Sequence, residues 1–593
     1  MSLSPRLSGA VAGALILATS LIAPAGAQAA PVAVGAAVAP DSTSEQEMQR
    51  VDRVPAPDLA WFKCYGKAQC ATAHLPLDYD DPDGPTVEIA VVRVPARKPA
   101  ARIGSLFVNP GGPGGSGTDM AALAPEFLSD TVLDRFDIVG FDPRGVGASD
   151  NLKCFSSTRD QAVALARMNS FFPYGEKEEA GYVRSAQTVG RACSTTGAEL
   201  AGAMSTAEAA RDMDVLRRTL GDAKLSYLGF SYGTALGQYY ANMFPDRVRA
   251  LALDGVIDPV SWVGTETTGG RLQDDRLRSA DGAYRALRKL LERCDKAGTK
   301  RCEFAAGNPE KHFATIARRL RAKPLVLGKD PVNGTVRLTY ATFIGLTLSL
   351  LYTPVAGELV TSVAAQVADM QEHPAGKARL RAATRQSLLE RVTRLRAPAR
   401  DFPYDNSLEA FAGVMCTDGL HPADAASWPA LTAAADRRAP YFGRAWGWGS
   451  VQCATDTWTA QDEDAYTGPF NRVTSAPVLF VGNYWDPATN YRQAVSSAQR
   501  LPNSRLLTSD NWGHTAYGTS TCVTRAVDAY LLRVALPPAG TLCRSPLQPF
   551  TGSLVFGGGF SAGRSFAAGT GSEPGRPKQL PPVAGPYGTL RGA

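Results

Sequence analysis

Apolar and polar residues follow one another along this chain in two distinct textures. Short apolar runs at Val87 to Val94, Gly104 to Val108, Phe136 to Phe141, Leu225 to Leu228 and Val248 to Leu253 read as strands, with helix-like sequence between several of them. Such alternation predicts βαβ units and a largely parallel sheet. From about Ser261 to Arg472 the texture changes to Arg- and Ala-rich segments with helical spacing, among them Ala283 to Cys294, Leu359 to Met370 and Lys377 to Leu395. Strand-like sequence returns at Pro477 to Val481 and Arg505 to Leu507, and a helical stretch follows around Thr524 to Val534. The simplest arrangement is one α/β sheet interrupted by an inserted, mainly helical lid.

This pattern divides the chain into a core at 56–260 and 473–550, a lid at 261–472 and a Gly-, Ser- and Pro-rich tail at 551–593. Residues 30–55 are small, polar and proline-containing, which predicts a flexible linker or propeptide, with the fold starting near Trp61. Residues 1–29 have the layout of a signal peptide: Arg6 is the only charge, an apolar run extends from Leu7 to about Pro24, and Ala27-Gln28-Ala29 supplies the small-residue cleavage site. No comparably long apolar run follows, so a secreted protein with no stable membrane span after processing is expected.

Composition narrows the class. With 593 residues, 44% apolar and 20% charged, the chain is neither collagenous nor a coiled coil nor wholly disordered. Lys and Arg number 62 against 56 Asp and Glu, a surplus too small and dispersed to argue for nucleic acid. The 10 cysteines agree with export, and their proximity suggests Cys64 with Cys70, Cys154 with Cys193, Cys294 with Cys302, Cys416 with Cys453, and Cys522 with Cys543, although sequence alone leaves connectivity open. No pair has CxxC spacing and the five histidines form no HExxH, so a structural zinc site has little support.

The strongest chemical signal is Gly229-Phe230-Ser231-Tyr232-Gly233, a G-x-S-x-G that follows a strand-like run and opens a helical one. A serine on so tight a strand-to-helix turn needs glycines on either side for steric reasons, and its hydroxyl stands at the positive end of the helix. Gly559 to Gly563 repeats the pattern around Ser561, but the sequence after it is too Gly-rich to start a helix. A serine nucleophile needs a base, and the base needs a carboxylate to hold its tautomer. Asp486 ends the strand-like segment from Ala476, His514 follows the segment from Ser504, and the order Ser231, Asp486, His514 is that of an α/β-hydrolase. Asp510 and Asp464 are weaker choices for the acid. His74, His312, His373 and His421 read as surface or capping residues.

Ser105 to Gly117 is a strand-like run entering a glycine-rich loop, Asn109-Pro-Gly-Gly-Pro-Gly-Gly-Ser-Gly. As an oxyanion loop it would set the Gly112 N–H opposite that of Tyr232. It also matches G-x-G-x-x-G from Gly112 to Gly117, but proline lies inside the fingerprint, and a dinucleotide site would leave the Ser, Asp and His segments unexplained. No Lys follows for a Walker A loop, and no cofactor is expected. The stretch Asp142-Pro-Arg144-Gly-Val-Gly-Ala-Ser reads as a tight turn in which Arg144 holds loops through carbonyls, with no chemistry of its own.

With these motifs assembled, together with Leu253-Asp-Gly-Val-Ile-Asp-Pro, Asp486-Pro-Ala-Thr and the late Tyr530-Leu-Leu-Arg-Val-Ala-Leu-Pro-Pro, the sequence resembles the secreted tripeptidyl aminopeptidases of filamentous soil bacteria. These are α/β-hydrolases related to prolyl aminopeptidases. The resemblance implies Ser231 as nucleophile, Asp486 as orienting acid, His514 as base, and the Tyr232 and Gly112 N–H groups as the oxyanion hole. It further implies a peptide or protein substrate with a free N-terminus, and hence a lid carboxylate for the α-ammonium, for which Asp418 ranks ahead of Glu266 and Glu409. Asn109-Pro110 replaces the His-Gly start of the prolyl enzymes, and Asn490 stands where proline is expected. A secreted carboxylesterase or lipase on the same triad is the rival reading; a non-catalytic binding protein on this fold would predict a damaged elbow or triad, and neither is seen. Oligomeric state is not legible.

Overall fold

A computed structural model describes residues 39–330, 334–372, 378–395, 404–551 and 581–583. The expected signal peptide, His373 and Ser561 lie outside the described residues.

Ten strands make one sheet: β1 (Phe62–Cys64), β2 (Ala68–Pro76), β3 (Thr86–Val94), β4 (Gly104–Asn109), β5 (Phe136–Phe141), β6 (Leu225–Phe230), β7 (Val248–Asp254), β10 (Val478–Trp485), β11 (Ser504–Trp512) and β12 (Leu542–Cys543). A separate antiparallel hairpin, β8 (Leu325–Asp330) and β9 (Gly334–Leu338), lies in the sequence between β7 and β10. The order in the sheet is β1-β2-β3-β5-β4-β6-β7-β10-β11-β12. Pairing is antiparallel from β1 to β5 and parallel from β5 onward. The central strands β4, β5 and β6 are buried at every residue, which is why apolar residues dominate them. Successive residues still serve opposite faces: Leu106, Ile138, Leu228 and Phe230 pack on one side, and Phe107, Val139, Tyr227 and Leu253 on the other.

Between β7 and β10 the chain leaves the sheet and is mainly helical, including Ser279–Ala297, Pro309–Ala322, Tyr340–Leu351, Ala356–Glu372, Ser407–Asp418 and Trp428–Arg438. These helices carry a core of their own around Leu287, Leu290, Phe313, Phe343, Trp428 and Trp448. The fold is that of an α/β-hydrolase with an inserted helical segment. The five disulfides join the pairs expected from proximity, and no described cysteine is free. No described helix is long and apolar enough to cross a membrane.

The stretch expected as a flexible linker is ordered where it is described. Helix Glu45–Val51 is capped by the Ser44 hydroxyl, and Val51 and Val54 enter the main core. Arg50 pairs with Glu47, Asp80 and Asp464 at 3.0, 2.6 and 3.2 Å. Asp41 exchanges hydrogen bonds with Val473. Composition could not reveal this, because the partners of Arg50 and Asp41 come from distant parts of the chain.

Candidate active site

β6 ends at Phe230, and Ser231 turns the chain directly into helix Gly233–Met243. Ser231 has φ 55°, a left-handed conformation that is costly for a residue with a Cβ and is retained where surrounding structure enforces it. The enforcing contacts are visible. A Cβ at Gly229 would lie 2.5 Å from the Gly233 carbonyl oxygen, and one at Gly233 would lie 2.8 Å from the Asn109 side chain. The Ser231 N–H donates to the Asp254 carbonyl at the end of β7, 3.0 Å away.

β4 lies beside β6 with Asn109 opposite Gly229, so the glycine-rich loop leaves the sheet next to the serine turn. The Gly111 N–H donates to Asn109 Oδ1 at 2.8 Å, folding the loop back on itself. Gly111 has φ +84°, and a Cβ there would fall 2.4 Å from the Phe230 carbonyl oxygen and 2.8 Å from the Tyr232 nitrogen. Gly112 and Ser231 line one cavity. Gly111→Ala is therefore expected to push this loop away from Tyr232 and to lower kcat by roughly 100-fold, since displacements of about 1 Å carry that cost. Steady-state rates beside the thermal midpoint of the variant check this; an unchanged kcat would remove the loop from the chemistry.

Asp486 follows β10 and His514 follows β11, and these strands are parallel neighbours. His514 Nδ1 stands 2.9 and 3.0 Å from the two Asp486 oxygens. The same carboxylate accepts the Ala488 and Thr489 N–H groups at 2.8 Å and the Thr489 hydroxyl at 2.9 Å, all fully buried. These donors fix the orientation of the carboxylate. A carboxylate can only accept, so a proton on His514 Nδ1 fits this contact and would leave the lone pair on Nε2. Nε2 is buried and makes no hydrogen bond among the described residues. The residue is braced further: the His514 backbone N–H donates to the Tyr352 carbonyl at 3.0 Å, and the Tyr352 ring meets the imidazole edge-on at 5.0 Å between centroids. Gly255, next to the residue that holds Ser231, has no room for a Cβ without touching His514 Cε1 at 3.1 Å.

Asp254 is a supporting residue that sequence reasoning quoted only as part of a motif. Its buried carboxylate accepts the Ala516 and Tyr517 N–H groups at 2.9 and 2.7 Å, which holds the loop after His514. Burial pushes its pKa up to about 6, partly countered by those two donors.

The cavity encloses about 720 Å³ counted out to its mouth. Ser231, Gly112, Ala488 and Thr489 form the sheet side; Trp262, Leu277, Tyr352, Phe411, Met415 and Trp446 come from the segment between β7 and β10. Asp418, expected to receive an amine, does not line it. Its oxygens accept the Thr206 N–H at 2.6 Å, the Trp262 indole N–H at 2.7 Å and the Thr206 hydroxyl, so the carboxylate holds the wall residue Trp262 from behind. Burial raises the Asp418 pKa to about 6 against those hydrogen bonds. Glu266 is exposed, and Glu409 is buried against Gln161 and Tyr404. Asp510 accepts the Ser545 N–H and Asp464 pairs with Arg211, both away from His514. His74 and His312 are exposed; His421 is instead buried, its Nε2 bonded to the Met415 carbonyl, and burial lowers its pKa to about 3. The acid that does line the cavity is Asp274, which carried no motif.

The glycine-rich loop has packing reasons for its glycines: a Cβ at Gly115 would meet the Gly111 carbonyl at 2.5 Å, and one at Gly117 the Phe141 carbonyl at 2.2 Å. Glu208, Asp462 and Asp464 cluster closely enough to hold a cation, but Arg144, Arg211 and Arg50 already pair with the group.

Comparison with known proteins gives two family matches: "alpha/beta hydrolase fold" over residues 104–279 and "TAP-like protein" over residues 439–543. Serine protease Hip1 of Mycobacterium tuberculosis is 31% identical over 495 residues, covering 81% of this chain and 88% of that protein. Carboxylesterase B of the same organism is 32% identical over 510 residues, covering 83% and 91%. The tripeptidyl aminopeptidase of Streptomyces coelicolor is 28% identical over 500 residues, covering 81% and 84%.

Proposed function

Because this chain belongs to the α/β-hydrolase family, in the branch that carries a TAP-like C-terminal segment, we propose that it is a secreted serine exopeptidase that releases short peptides from free N-termini. The observation that carries the reading is the buried His514–Asp486 pair, with Ser231 held at a strained turn in the wall of a cavity that Thr489, a donor to Asp486, also lines. In this mechanism Ser231 Oγ attacks the scissile carbonyl carbon while its proton passes to His514 Nε2. Asp486 stabilises the imidazolium that forms. The negative charge that develops on the carbonyl oxygen is met by the Tyr232 and Gly112 N–H groups. Collapse of the tetrahedral species breaks the C–N bond, His514 returns the proton to the leaving amine, and a water activated by the same imidazole hydrolyses the acyl enzyme.

The exopeptidase reading is supported by the cavity. Its far wall consists of lid residues, so a chain end fits better than a passing polypeptide. The leader at 1–29 and the five disulfides support an oxidising, extracellular setting. The likeness to a carboxylesterase makes ester hydrolysis the reading to test against. Three substrates separate them: a chromogenic tripeptide amide, the same peptide N-acetylated, and a short-chain nitrophenyl ester. A kcat/KM for the free-amine peptide roughly 100-fold or more above that for the acetylated one is expected, since sites built around a polar group reject analogues that leave it unpaired. Equal cleavage of both peptides would indicate an endopeptidase, and cleavage of the ester alone an esterase.

A further inference from the structure

Asp274 lies in the short helix Gln273–Leu277, just inside the segment that follows β7, and lines the same cavity as Ser231. It is the one acidic side chain among the described residues of that lining. It is 7% exposed, no side chain among the described residues donates to its oxygens, and the Ala280 N–H is the backbone donor that faces it. A buried carboxylate in that condition is rare in folded proteins and calls for a reason.

The neighbouring charges do not supply one. Asp275 and Asp281 both pair with Arg438, at 2.7 and 3.1 Å, so the closest guanidinium is already committed. Asp418, Glu409 and Asp486 each have their own donors. The other residues that line the cavity, among them Leu277, Trp446, Gly449 and Ser450, are apolar or neutral. A cationic group that entered this cavity would therefore meet a single uncommitted acid, at a wall contributed by the lid.

We propose that Asp274 receives the free α-ammonium of the substrate, and so is the residue that makes the site select chain ends. The assignment rests on the exopeptidase reading above and names its specificity residue. Recognition of this kind works by exclusion as well as attraction, because an acetylated N-terminus would leave the carboxylate buried without a partner. It also explains why the residue is tolerated unpaired. Burial, with the like charges of Asp275 and Asp281, pushes its pKa up to about 8, while Arg438 and the Ala280 N–H act the other way. At neutral pH the carboxyl can rest as a neutral acid and ionise when an ammonium arrives.

The test compares the wild-type enzyme with Asp274→Asn on the free-amine tripeptide amide and its acetylated counterpart. Asn matches the size of the neutral acid, and an unchanged rate of Ser231 labelling by a fluorophosphonate reports an intact fold. The expected result is a fall of roughly 100-fold in kcat/KM for the free-amine peptide, with the acetylated peptide unchanged or faster, so that the preference between them collapses. Asp274→Ser, smaller and also uncharged, must give the same collapse. Calorimetric titration in a Ser231→Ala background provides the readout without turnover: affinity for the free-amine peptide should fall with Asp274→Asn, and that for the acetylated peptide should not. If the wild type prefers the free amine and the variants keep that preference, the assignment to Asp274 is wrong and the exopeptidase reading stands. If the wild type shows no preference, the reading itself fails, and the assignment with it.

Discussion

Ser231→Ala is expected to lower kcat on any substrate the enzyme turns over by about 10⁴-fold or more while leaving the protein folded. The size follows from what the substitution removes. On the proposed mechanism, without Oγ no acyl enzyme forms and His514 has no hydroxyl to deprotonate, so the three side chains stop acting as a unit. What survives is transition-state binding by the N–H groups of Tyr232 and Gly112 and by the cavity, which in other hydrolases still exceeds the uncatalysed reaction. The fold should persist because Ala keeps the Cβ that the turn already accommodates at φ 55°, and the turn is held by the Ser231 N–H rather than by its hydroxyl. Single-turnover rates and a thermal melt of the purified variant check both halves. Activity within tenfold of the wild type would mean that another group is the nucleophile.

The largest effect on stability is expected at Arg144, well away from the cavity. Its guanidinium is 1% exposed and donates to both Asp212 oxygens at 2.8 and 2.7 Å and to the Leu77 and Pro76 carbonyls at 2.5 and 2.7 Å; it also pairs with Glu208 at 2.6 Å. Glu208 in turn pairs with Arg211, and Arg211 with Glu47 and Asp464, so one buried network joins the N-terminal helix, the loop after β5, helix Thr206–Thr219 and the approach to β10. Arg144→Met removes one cation and takes a donor away from two carboxylates and three carbonyls, those of Pro76, Leu77 and Ala203. Losing one partner of a buried charge set costs about 3–5 kcal/mol, because the groups left behind are uncompensated. Denaturant unfolding should show this as a lower midpoint. Arg97→Met is the control: Arg97 pairs with Asp130 on the surface, where such pairs contribute little. Equal midpoints for the two variants would refute the network's role.

Much of the sheet was legible because its central strands are buried on both faces, so each is a mainly apolar run with sharp ends; Phe136–Phe141 is the clearest instance. The runs at β6, β7, β10 and β11 were read shorter than they are, since their last residues, such as Asn483 to Trp485 and Thr508 to Trp512, are polar or mixed and continue as strands only through pairing with neighbours. The edge strands β1, β2 and β12 and the β8–β9 hairpin gave no apolar signal. They too depend on partners supplied by the fold.

The Ser231 turn and the strand-end positions of Asp486 and His514 were legible because each sits in a local pattern that sterics impose: glycines where a Cβ cannot fit, and loops placed directly after strands. Cysteine pairing was legible for a related reason, as every bridge closes between near neighbours in sequence. The ordered segment before Trp61 and the identity of the cavity acid were not. Whether a carboxylate is committed or free depends on which donors the tertiary structure brings beside it. Asp418 meets Thr206, 212 positions earlier in the chain, and Trp262, 156 positions earlier, while no described side chain donates to Asp274. Sequence by itself determined the central strands and the local motifs, because those follow from short-range sterics and burial. Only the packing of the lid against the sheet decided which acid faces the cavity, because that property belongs to no segment alone.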